Sequence, residues 1–484
     1  MASSHPHPAK PRTRSARTIL LALSGLLSSS RAAVYFVAPN GSNSNPGTID
    51  QPFATLQKGN DVAVAGDTVY IRGGRYAITT PANSGAGIAL SKSGTASKRL
   101  CFFAYRNEKP VFDFSKLTIS ASTYTFGFVV TGSWLHLKGF EVANVPMNTH
   151  SNCGMSVNGA GNDIFERMEF DHNNGTGLFF SKGTGGHLVL NCDSHDNYDP
   201  TSSQGDGQNS DGFGVHYQTS GESTVFRGCR AWWNSDDGWD FISQEVPVLV
   251  ENSWAYMQGY ANSGTKRPGS GNGNGFKAGS SQTGIRHTLR NCVAWKNGAA
   301  GFYANHSSGG NNWYNNTSYN NGVQFNLLAS TWDASGNRTD GVVLSGSKAH
   351  VMRNNIGFPN KNSYMTGVDS KNNSWDLGIA PSSSDFLSVS DSGFTGPRQA
   401  DGSLPYIPFL KLRSGSSMID KGLDIGLPFL GSSPDLGAYE FSPSVSRQST
   451  AWFRAARSNT GRFDLSGRRV DPSRLGPMAP LVTR

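Results

Sequence analysis

The chain of 484 residues is long enough for two or three average domains or for one elongated repeat domain. Its 58 glycines and its charged fraction of only 16% are typical of short strands joined by tight turns and argue against long helices. The net charge of +8 comes from the ends, because residues 1–33 carry five cations and no acid, and residues 442–484 carry eight arginines against two aspartates. The body between them carries about −3, so the basic balance gives no support to a nucleic-acid partner, and we expect none.

Residues 1–32 have the pattern of a secretory signal peptide. A basic stretch precedes an apolar run from Ile19 to Leu27, and Ser30-Arg31-Ala32 places small residues around a cleavage position. The alternative is a basic leader that is retained. The apolar run is too short to span a bilayer as an anchor, and no later segment is long and apolar enough to do so. The sequence therefore predicts a secreted, extracellular protein without a membrane span.

The segments that follow predict the start of a repeat domain over residues 33–441. Pro52 to Val64 predicts a short helix, and alternating apolar and polar residues predict strands in Arg99 to Asp113 and Ser133 to Val142. A stack of strands needs a cap because its first rung otherwise exposes an unpaired edge. The short helix is the predicted N-terminal cap.

A short phrase then recurs, in which Gly is followed by an apolar residue, a variable residue and another apolar residue. It begins at Gly177, Gly212, Gly238, Gly275, Gly301 and Gly322, in steps of 35, 26, 37, 26 and 21 residues. The two longest steps contain polar insertions, 199–210 and 261–274. Units of this length, rich in β-forming residues, Gly and Asn, predict the rungs of an all-β solenoid. We expect the regular coil to end near Phe325, with irregular strands continuing to Phe441.

The cysteines follow the same repeat. Five are present, so at least one cannot pair within the chain. Cys192, Cys229 and Cys292 recur at one point of the unit, and we expect them to be inward core thiols. Cys229 and Cys292 would lie two rungs apart, roughly 10 Å, which is too far for a disulfide.

Aligning the rungs on their glycines places polar residues in two columns. Asp211 and Asp237 directly precede a repeat glycine, whereas Asp240 and Lys277 lie two residues after one. Residues two apart in a strand share a face, so Asp240 and Lys277 point outward, and adjacent rungs are roughly 4.8 Å apart. Together with Asp236, these residues are predicted to gather on one outer face.

Four carboxylates this close repel one another unless a cation neutralises them. Clusters of carboxylate oxygens select hard divalent ions, and a large flexible site suits Ca²⁺ better than Mg²⁺. The alternative, a set of solvated turn aspartates, is common for one Asp and accounts poorly for four in register. The pattern predicts a calcium site formed by Asp211, Asp236, Asp237 and Asp240.

Lys277 is predicted to lie beside this site. An outward lysine is normally a solvated surface charge, but this position suggests chemistry. A uronate sugar has an acidic proton at C5, alpha to its carboxylate, and a nearby amine can remove it when a metal neutralises that carboxylate. The C4 oxygen then leaves. The constellation indicates elimination on an acidic polysaccharide.

Three segments resemble the motifs of family 9 polysaccharide lyases, which are right-handed parallel β-helix pectate lyases. They are Asn209-Ser-Asp-Gly-Phe213, Asn234-Ser-Asp-Asp-Gly-Trp-Asp-Phe241 and Asn274-Gly-Phe-Lys-Ala-Gly279, and the likeness extends from Tyr35 to Glu440. The resemblance implies that the four aspartates bind Ca²⁺ and that Lys277 is the Brønsted base. It implies a secreted, calcium-dependent pectate lyase acting on polygalacturonate, and we expect a monomer. The family includes exo-acting members and an activity on another uronate-containing polymer. The choice between endo and exo cleavage and the exact substrate therefore stay open.

Weaker candidates surround this constellation. Phe179 and Tyr303 fall in the column of Asp240 and could offer aromatic platforms to sugar rings, and ordinary side-chain stacking fits them equally well. Lys266 and Arg267 in the second insertion could pair with substrate carboxylates. His195 and His216 are expected near the same groove, without an assigned role.

Residues 442–484 differ from the repeat domain in being rich in Arg and Pro without strand alternation. Phe463-Asp-Leu-Ser-Gly-Arg-Arg-Val470 resembles the C-terminal sorting signals of bacterial cell-surface secretion systems. A sorting signal that retains the protein at the cell surface and a plain disordered tail both fit this sequence.

Two other functions compete with the lyase. A polygalacturonase-type hydrolase on a similar β-helix would use paired carboxylates, one of them protonated, and no metal. A non-catalytic, calcium-stabilised carbohydrate-binding surface protein would use the same fold without chemistry. The position of Lys277 against the aspartates favours the lyase.

Overall fold

The computed structural model describes residues 1, 32–120, 123–279 and 284–443, together with the backbone of residues 462–463 and 469–470. The chain divides into two compact units, Met1–Ala32 and Ala33–Arg484. The predicted signal peptide lies almost wholly outside the described residues, and so does most of the predicted tail. Both stay predictions. The described part of the tail pairs β35 (Arg462–Phe463) with β36 (Arg469–Val470) in antiparallel fashion.

The second unit contains three long parallel sheets, with strands numbered along the chain. Sheet 1 consists of β1 (Val34–Val37), β2 (Thr68–Ile71), β5 (Leu100–Ala104), β8 (Leu135–Lys138), β11 (Ile164–Glu166), β14 (Leu188–Leu190), β17 (Thr224–Arg227), β20 (Val248–Glu251), β23 (Thr288–Arg290), β26 (Asn312–Tyr314), β31 (Val351–Arg353) and β34 (Asp369–Lys371). Sheet 2 consists of β3 (Gly74–Ala77), β6 (Pro110–Asp113), β9 (Glu141–Ala143), β12 (Glu169–Asp171), β15 (Asp193–His195), β18 (Arg230–Trp232), β21 (Trp254–Tyr256), β24 (Val293–Trp295), β27 (Thr317–Tyr319) and β32 (Ile356–Phe358). Sheet 3 consists of β4 (Ala86–Leu90), β7 (Phe126–Val130), β10 (Met155–Asn158), β13 (Leu178–Ser181), β16 (Phe213–His216), β19 (Trp239–Phe241), β22 (Phe276–Ala278), β25 (Ala300–Tyr303), β28 (Val323–Asn326) and β33 (Asn362–Ser363).

The chain visits the three sheets in turn, and within each sheet a strand pairs in parallel with the strand one turn away. This is a parallel β-helix, as the repeat predicted. Two short 3₁₀ turns, Gly346–Lys348 and Ser383–Asp385, lie in later connections. Among the described residues, no helix has the length and hydropathy needed to cross a bilayer.

The predicted capping helix is present as α1 (Leu56–Val62). The hydroxyl of Thr55 accepts a hydrogen bond from the Lys58 amide and so satisfies a free donor at the helix start. The buried side of α1, which includes Leu56, packs against β1, β2 and β4. Since β1 and β4 are terminal strands of sheets 1 and 3, the helix covers the open end of the stack.

The repeat glycines lie at the start of the strands of sheet 3, where the backbones of neighbouring rungs approach closely. A Cβ at Gly275 would lie 2.6 Å from the carbonyl oxygen of Gly301, and one at Gly212 would lie 2.8 Å from that of Gly238. Real Cβ atoms do not approach a carbonyl oxygen so closely, and only glycine leaves the space. The glycine phrase therefore marks a steric requirement of stacking.

The interior holds stacked apolar side chains and ladders of buried amides. One ladder runs through Asn173, Asn197 and Asn234, in which each side-chain amide donates to the side-chain oxygen one rung on, at 3.0 Å and 2.8 Å. The repeat-position thiols Cys192 and Cys292 are fully buried in the same core, and all five cysteines are free. The expected core role of these cysteines is confirmed.

The predicted end of the coil is wrong. After Phe325 the chain leaves as a hairpin, β29 (Ser330–Trp332) with β30 (Arg338–Asp340), and then completes another turn through β31, β32 and β33 and enters β34. The hairpin lengthens the repeat, and β33 lacks the glycine phrase, so no spacing signal marks this turn. Among the described residues, the following segment 379–441 forms no strand and packs as loops on sheet 2.

A buried ion network fastens this segment to the coil. Asp193 on β15 accepts hydrogen bonds from Arg230 Nε at 2.8 Å and from Arg398 Nη2 at 2.5 Å. Arg230 also donates to the carbonyl oxygens of Phe394 and Gly396. The side chains of Arg230 and Arg398 are 5% and 11% exposed, so both depend on Asp193 for charge compensation.

We expect Asp193→Ala to lower the free energy of unfolding by about 3–5 kcal/mol, because it leaves two buried cations unpaired. Urea titration measures the change. Glu108→Ala is the matched control, since it breaks a pair with Arg72 in which both side chains are about one-third exposed. That control should cost about 1 kcal/mol or less. Equal losses in the two variants would show that the network does not hold the segment.

Candidate active site on sheet 3

The central strands of sheet 3 place the predicted residues in register. Asp240 on β19 is the direct partner of Gly214 on β16 and of Lys277 on β22. The alternate residues Trp239 and Phe276 are fully buried in the core. The predicted alternation is confirmed, with Asp240 and Lys277 on the outer face of the sheet.

The turns that enter these strands carry the second column. Asp211 Oδ1 accepts from the Asp237 amide at 3.1 Å, and Asp237 Oδ1 accepts from the Asn274 amide at 2.7 Å. Asn274 Oδ1 in turn accepts from the Ala300 amide at 3.0 Å. Each side chain thus fixes the turn one rung on, which aligns Asp211 and Asp237. Asp211 Oδ2 accepts from the Thr176 hydroxyl at 3.2 Å, whereas Asp237 Oδ2 makes no contact within the column.

Asp236 lies next to this column but is held separately. Its Oδ1 accepts hydrogen bonds from the amide and the side chain of Asn272, at 2.6 Å and 3.0 Å. Asn272 belongs to the insertion between β21 and β22, so the insertion buttresses Asp236. Sequence reasoning missed Asn272, because a polar residue in a Gly- and Asn-rich loop has no distinguishing signal.

Three carboxylates converge closely enough to bind one ion. Oxygens of Asp211, Asp237 and Asp240 lie within 4.8 Å of one another, and Asp236 is not part of this group. All three residues are buried, and Asp240 Oδ1 has no hydrogen-bond partner within the described parts of the chain. Burial and then mutual repulsion raise the pKa of Asp211. A clustered, buried and incompletely satisfied oxygen set fits a divalent cation.

Lys277 reaches this cluster. Its Nζ lies 3.0 Å from Asp237 Oδ2 and 3.0 Å from Asp240 Oδ2. Its side chain is only 11% exposed, so the outward lysine is largely covered and does not lie free in solvent. Burial lowers the pKa of Lys277, but the surrounding carboxylates, chiefly Asp237 and Asp240, outweigh burial and raise it well above the ordinary value.

The flank of the groove toward β16 and β13 is aromatic. Phe179 covers the bare backbone of Gly214 and makes an edge contact with the ring of His216 at 4.9 Å between centroids. His216 Nε2 lies 3.8 Å from Asp240 Oδ2. Burial, with a smaller contribution from the Lys277 charge, lowers the pKa of His216 to about 3, so this ring is neutral.

Two weaker candidates are placed elsewhere. His195 belongs to sheet 2, where it stacks on Trp232. Arg267 is only 15% exposed, donates to the Trp233 carbonyl and stacks on Tyr198 at 4.9 Å. The structure therefore uses Arg267 to pack the second insertion, which explains why it is not available to a substrate carboxylate.

Comparisons with known proteins agree with this architecture. Residues 35–338 match the family described as "Pel9A-like, right handed beta helix region". The chain is 36% identical over 408 residues to pectate lyase L of Dickeya chrysanthemi, covering 84% of this chain and 90% of that protein. Among solved structures, pectate lyase Pel9A matches with a TM-score of 0.72 at 33% identity, over 85% of this chain and 97% of that one. A rhamnogalacturonan lyase matches with a TM-score of 0.68 at 31% identity, over 79% and 97%.

Proposed function

Because the chain belongs to the Pel9A-like right-handed β-helix family of polysaccharide lyases, we propose that it is a secreted, calcium-dependent pectate lyase that cleaves polygalacturonate by β-elimination. The observation that carries the proposal is the amine of Lys277, held 3.0 Å from two carboxylates of the Asp211, Asp237 and Asp240 cluster on the outer face of sheet 3. The signal-peptide pattern of residues 1–32 supports secretion.

Asp211, Asp237 and Asp240 would hold the ion, whereas Asp236, the fourth ligand predicted from the sequence, lies outside this group and is held by Asn272. Bound Ca²⁺ would supply positive charge that neutralises a uronate carboxylate and makes the C5 proton more acidic. The turn ladder through Asn274 positions Asp237 for this role before any ligand arrives.

Lys277 carries the proton transfer. In its neutral form, the amine takes the proton from C5 of the sugar, and the C5–H electron pair forms the C4=C5 double bond. The C4–O4 bond breaks, and the departing O4 takes a proton from water. Burial favours the neutral amine that this step requires, whereas Asp237 and Asp240 favour the ammonium, so turnover should rise toward alkaline pH.

A direct assay tests the proposal. Purified protein is incubated with polygalacturonate, with added Ca²⁺ or with a chelator, and the ultraviolet absorbance of the unsaturated product is followed. We expect absorbance to grow with Ca²⁺ and to stop with the chelator, while circular dichroism shows an intact fold. New reducing ends without absorbance would show hydrolysis, and loss of fold with the chelator would indicate structural calcium.

The similarity to a rhamnogalacturonan lyase gives the assay a second substrate. Rhamnogalacturonan is offered under the same conditions. Product from polygalacturonate at a higher kcat/KM supports the proposed substrate. A preference for rhamnogalacturonan would keep the lyase chemistry and overturn the substrate assignment.

A further inference from the structure

Next to Lys277, a polar cluster that the elimination step does not use lies between β25 of sheet 3 and the hairpin of β29 and β30. It consists of Tyr303, His306, Arg338 and Asp340. We propose that this cluster is a carboxylate-binding sugar subsite, in which Arg338 binds the carboxylate of a uronate neighbouring the one that is cleaved and Tyr303 packs against a sugar ring. The assignment of a uronate ligand rests on the function proposed above.

Tyr303 connects the cluster to the reacting residue. It lies on β25 as the direct register partner of Lys277, so the two backbones are roughly 4.8 Å apart on the same face. Its hydroxyl lies 3.2 Å from His306 Nε2, which restrains the ring. A half-buried ring held in this way, one rung from Lys277, offers a flat apolar surface to the next sugar of a bound chain.

Arg338 is held from one side only. It begins β30 of the hairpin, and its Nε lies 2.9 Å from Asp340 Oδ1. The same oxygen accepts from the Ser330 hydroxyl at 2.7 Å and lies 2.9 Å from His306 Nδ1. Among the described residues, no partner is found for the two Nη groups of Arg338, whose side chain is 44% exposed. The guanidinium therefore contacts Asp340 through its inner nitrogen and leaves its two outer nitrogens as donors for a ligand.

The charge of Arg338 influences the ring of His306. After burial, it is the largest influence that lowers the pKa of His306, and the Lys277 charge acts on the same ring. Lys277 and Arg338 therefore both lie near the Tyr303–His306 pair. A polyuronate carries one carboxylate on every sugar, so a second cation beyond the reacting lysine matches the charge pattern of the polymer. Guanidinium donors suit carboxylates especially well.

The test measures binding of a defined acidic ligand without turnover. Trigalacturonate is titrated calorimetrically, with Ca²⁺ present, into Lys277→Ala protein and into the same protein with Arg338→Gln added. We expect Arg338→Gln to weaken binding about tenfold, as for loss of one partly exposed charge-assisted contact. The fully methyl-esterified trimer should bind both proteins with affinities within about twofold of each other, because it offers no carboxylate to Arg338.

Arg75→Gln provides the matched control. Arg75 is also a partly exposed arginine paired with an aspartate, Asp113, but it lies on sheet 2. Its substitution should leave trigalacturonate binding unchanged, and thermal unfolding checks that all variants fold. Equal affinities for Arg338→Gln and Arg75→Gln would overturn the subsite.

Kinetics separates this proposal from the proposed function. In protein with Lys277 intact, Arg338→Gln should raise KM for polygalacturonate about tenfold and change kcat less than threefold. If the unsubstituted protein produces no unsaturated product yet trigalacturonate binding still depends on Arg338, the pectate lyase assignment fails and the subsite stands. If the unsubstituted protein turns over polygalacturonate and Arg338→Gln leaves KM unchanged, the pectate lyase assignment stands and the subsite fails.

Discussion

Lys277→Ala is expected to lower kcat on polygalacturonate by about a hundred- to ten-thousand-fold, the range that a positioned general base contributes. The side chain lies on the outer face of β22, away from the hydrophobic core that Phe276 and Ala278 enter, so the variant should fold. It should also bind Ca²⁺, because the carboxylates of Asp211, Asp237 and Asp240 remain. Initial rates of absorbance growth measure the loss, and calorimetric Ca²⁺ titration checks the site.

Added small amines provide the control for Lys277→Ala. If the missing group is a base, primary amines at high concentration should restore part of the rate, and the rate should increase with the neutral fraction of the amine. The unsubstituted enzyme should gain rate as pH rises, because the neighbouring carboxylates raise the pKa of Lys277 and only the neutral amine accepts a proton. A flat pH profile between neutral and strongly alkaline solution would contradict this assignment.

Asp237→Ala is expected to reduce calcium affinity and activity together. Asp237 is fully buried at the centre of the column, and its loss removes one charge from a coordinated set. We expect the apparent dissociation constant for Ca²⁺ to rise about tenfold to a hundredfold, and high calcium to restore part of the activity. Thermal unfolding gives a reading independent of turnover, since the stabilisation by added Ca²⁺ should shrink in proportion to the lost affinity.

Asp237→Asn separates the charge from the turn geometry. Its amide oxygen can still accept from the Asn274 backbone, so the ladder survives while the carboxylate charge is lost. It should resemble Asp237→Ala in calcium affinity. Asp61→Asn, on the exposed side of α1, should change nothing. Unchanged activity of Asp237→Asn at low calcium would place the metal site elsewhere.

The coil and its reacting face could be predicted from sequence because every stacked rung imposes similar steric requirements at the same position of the repeat. A Cβ at Gly212, Gly238 or Gly275 would meet the backbone of the next rung, and this steric requirement recurs with a recognisable spacing. Once the rungs are aligned, the period-two alternation of strands fixes which residues share a face. The placement of Asp240 beside Lys277 follows directly and agrees with the structure.

What could not be predicted depends on contacts that have no period. The hairpin that carries Arg338 interrupts the repeat, and no spacing rule connects it to His306 on an earlier turn. Arg267 lies in a polar loop and would be expected to be a solvated cation, yet its guanidinium donates to the Trp233 carbonyl and stacks on Tyr198. The last turn of the coil is not predicted from the sequence because β33 has no glycine phrase. In each case, tertiary packing decides the role of a residue whose local sequence is unremarkable.

The most direct test of the central claim, that Lys277 is the base, is the turnover of Lys277→Arg on polygalacturonate with saturating Ca²⁺. Arginine keeps a positive charge and a long side chain at this position, but its guanidinium stays protonated at any working pH. We expect a kcat close to that of Lys277→Ala, with no recovery toward alkaline pH. Near-native turnover of Lys277→Arg would show that Lys277 binds the substrate and that another group removes the C5 proton.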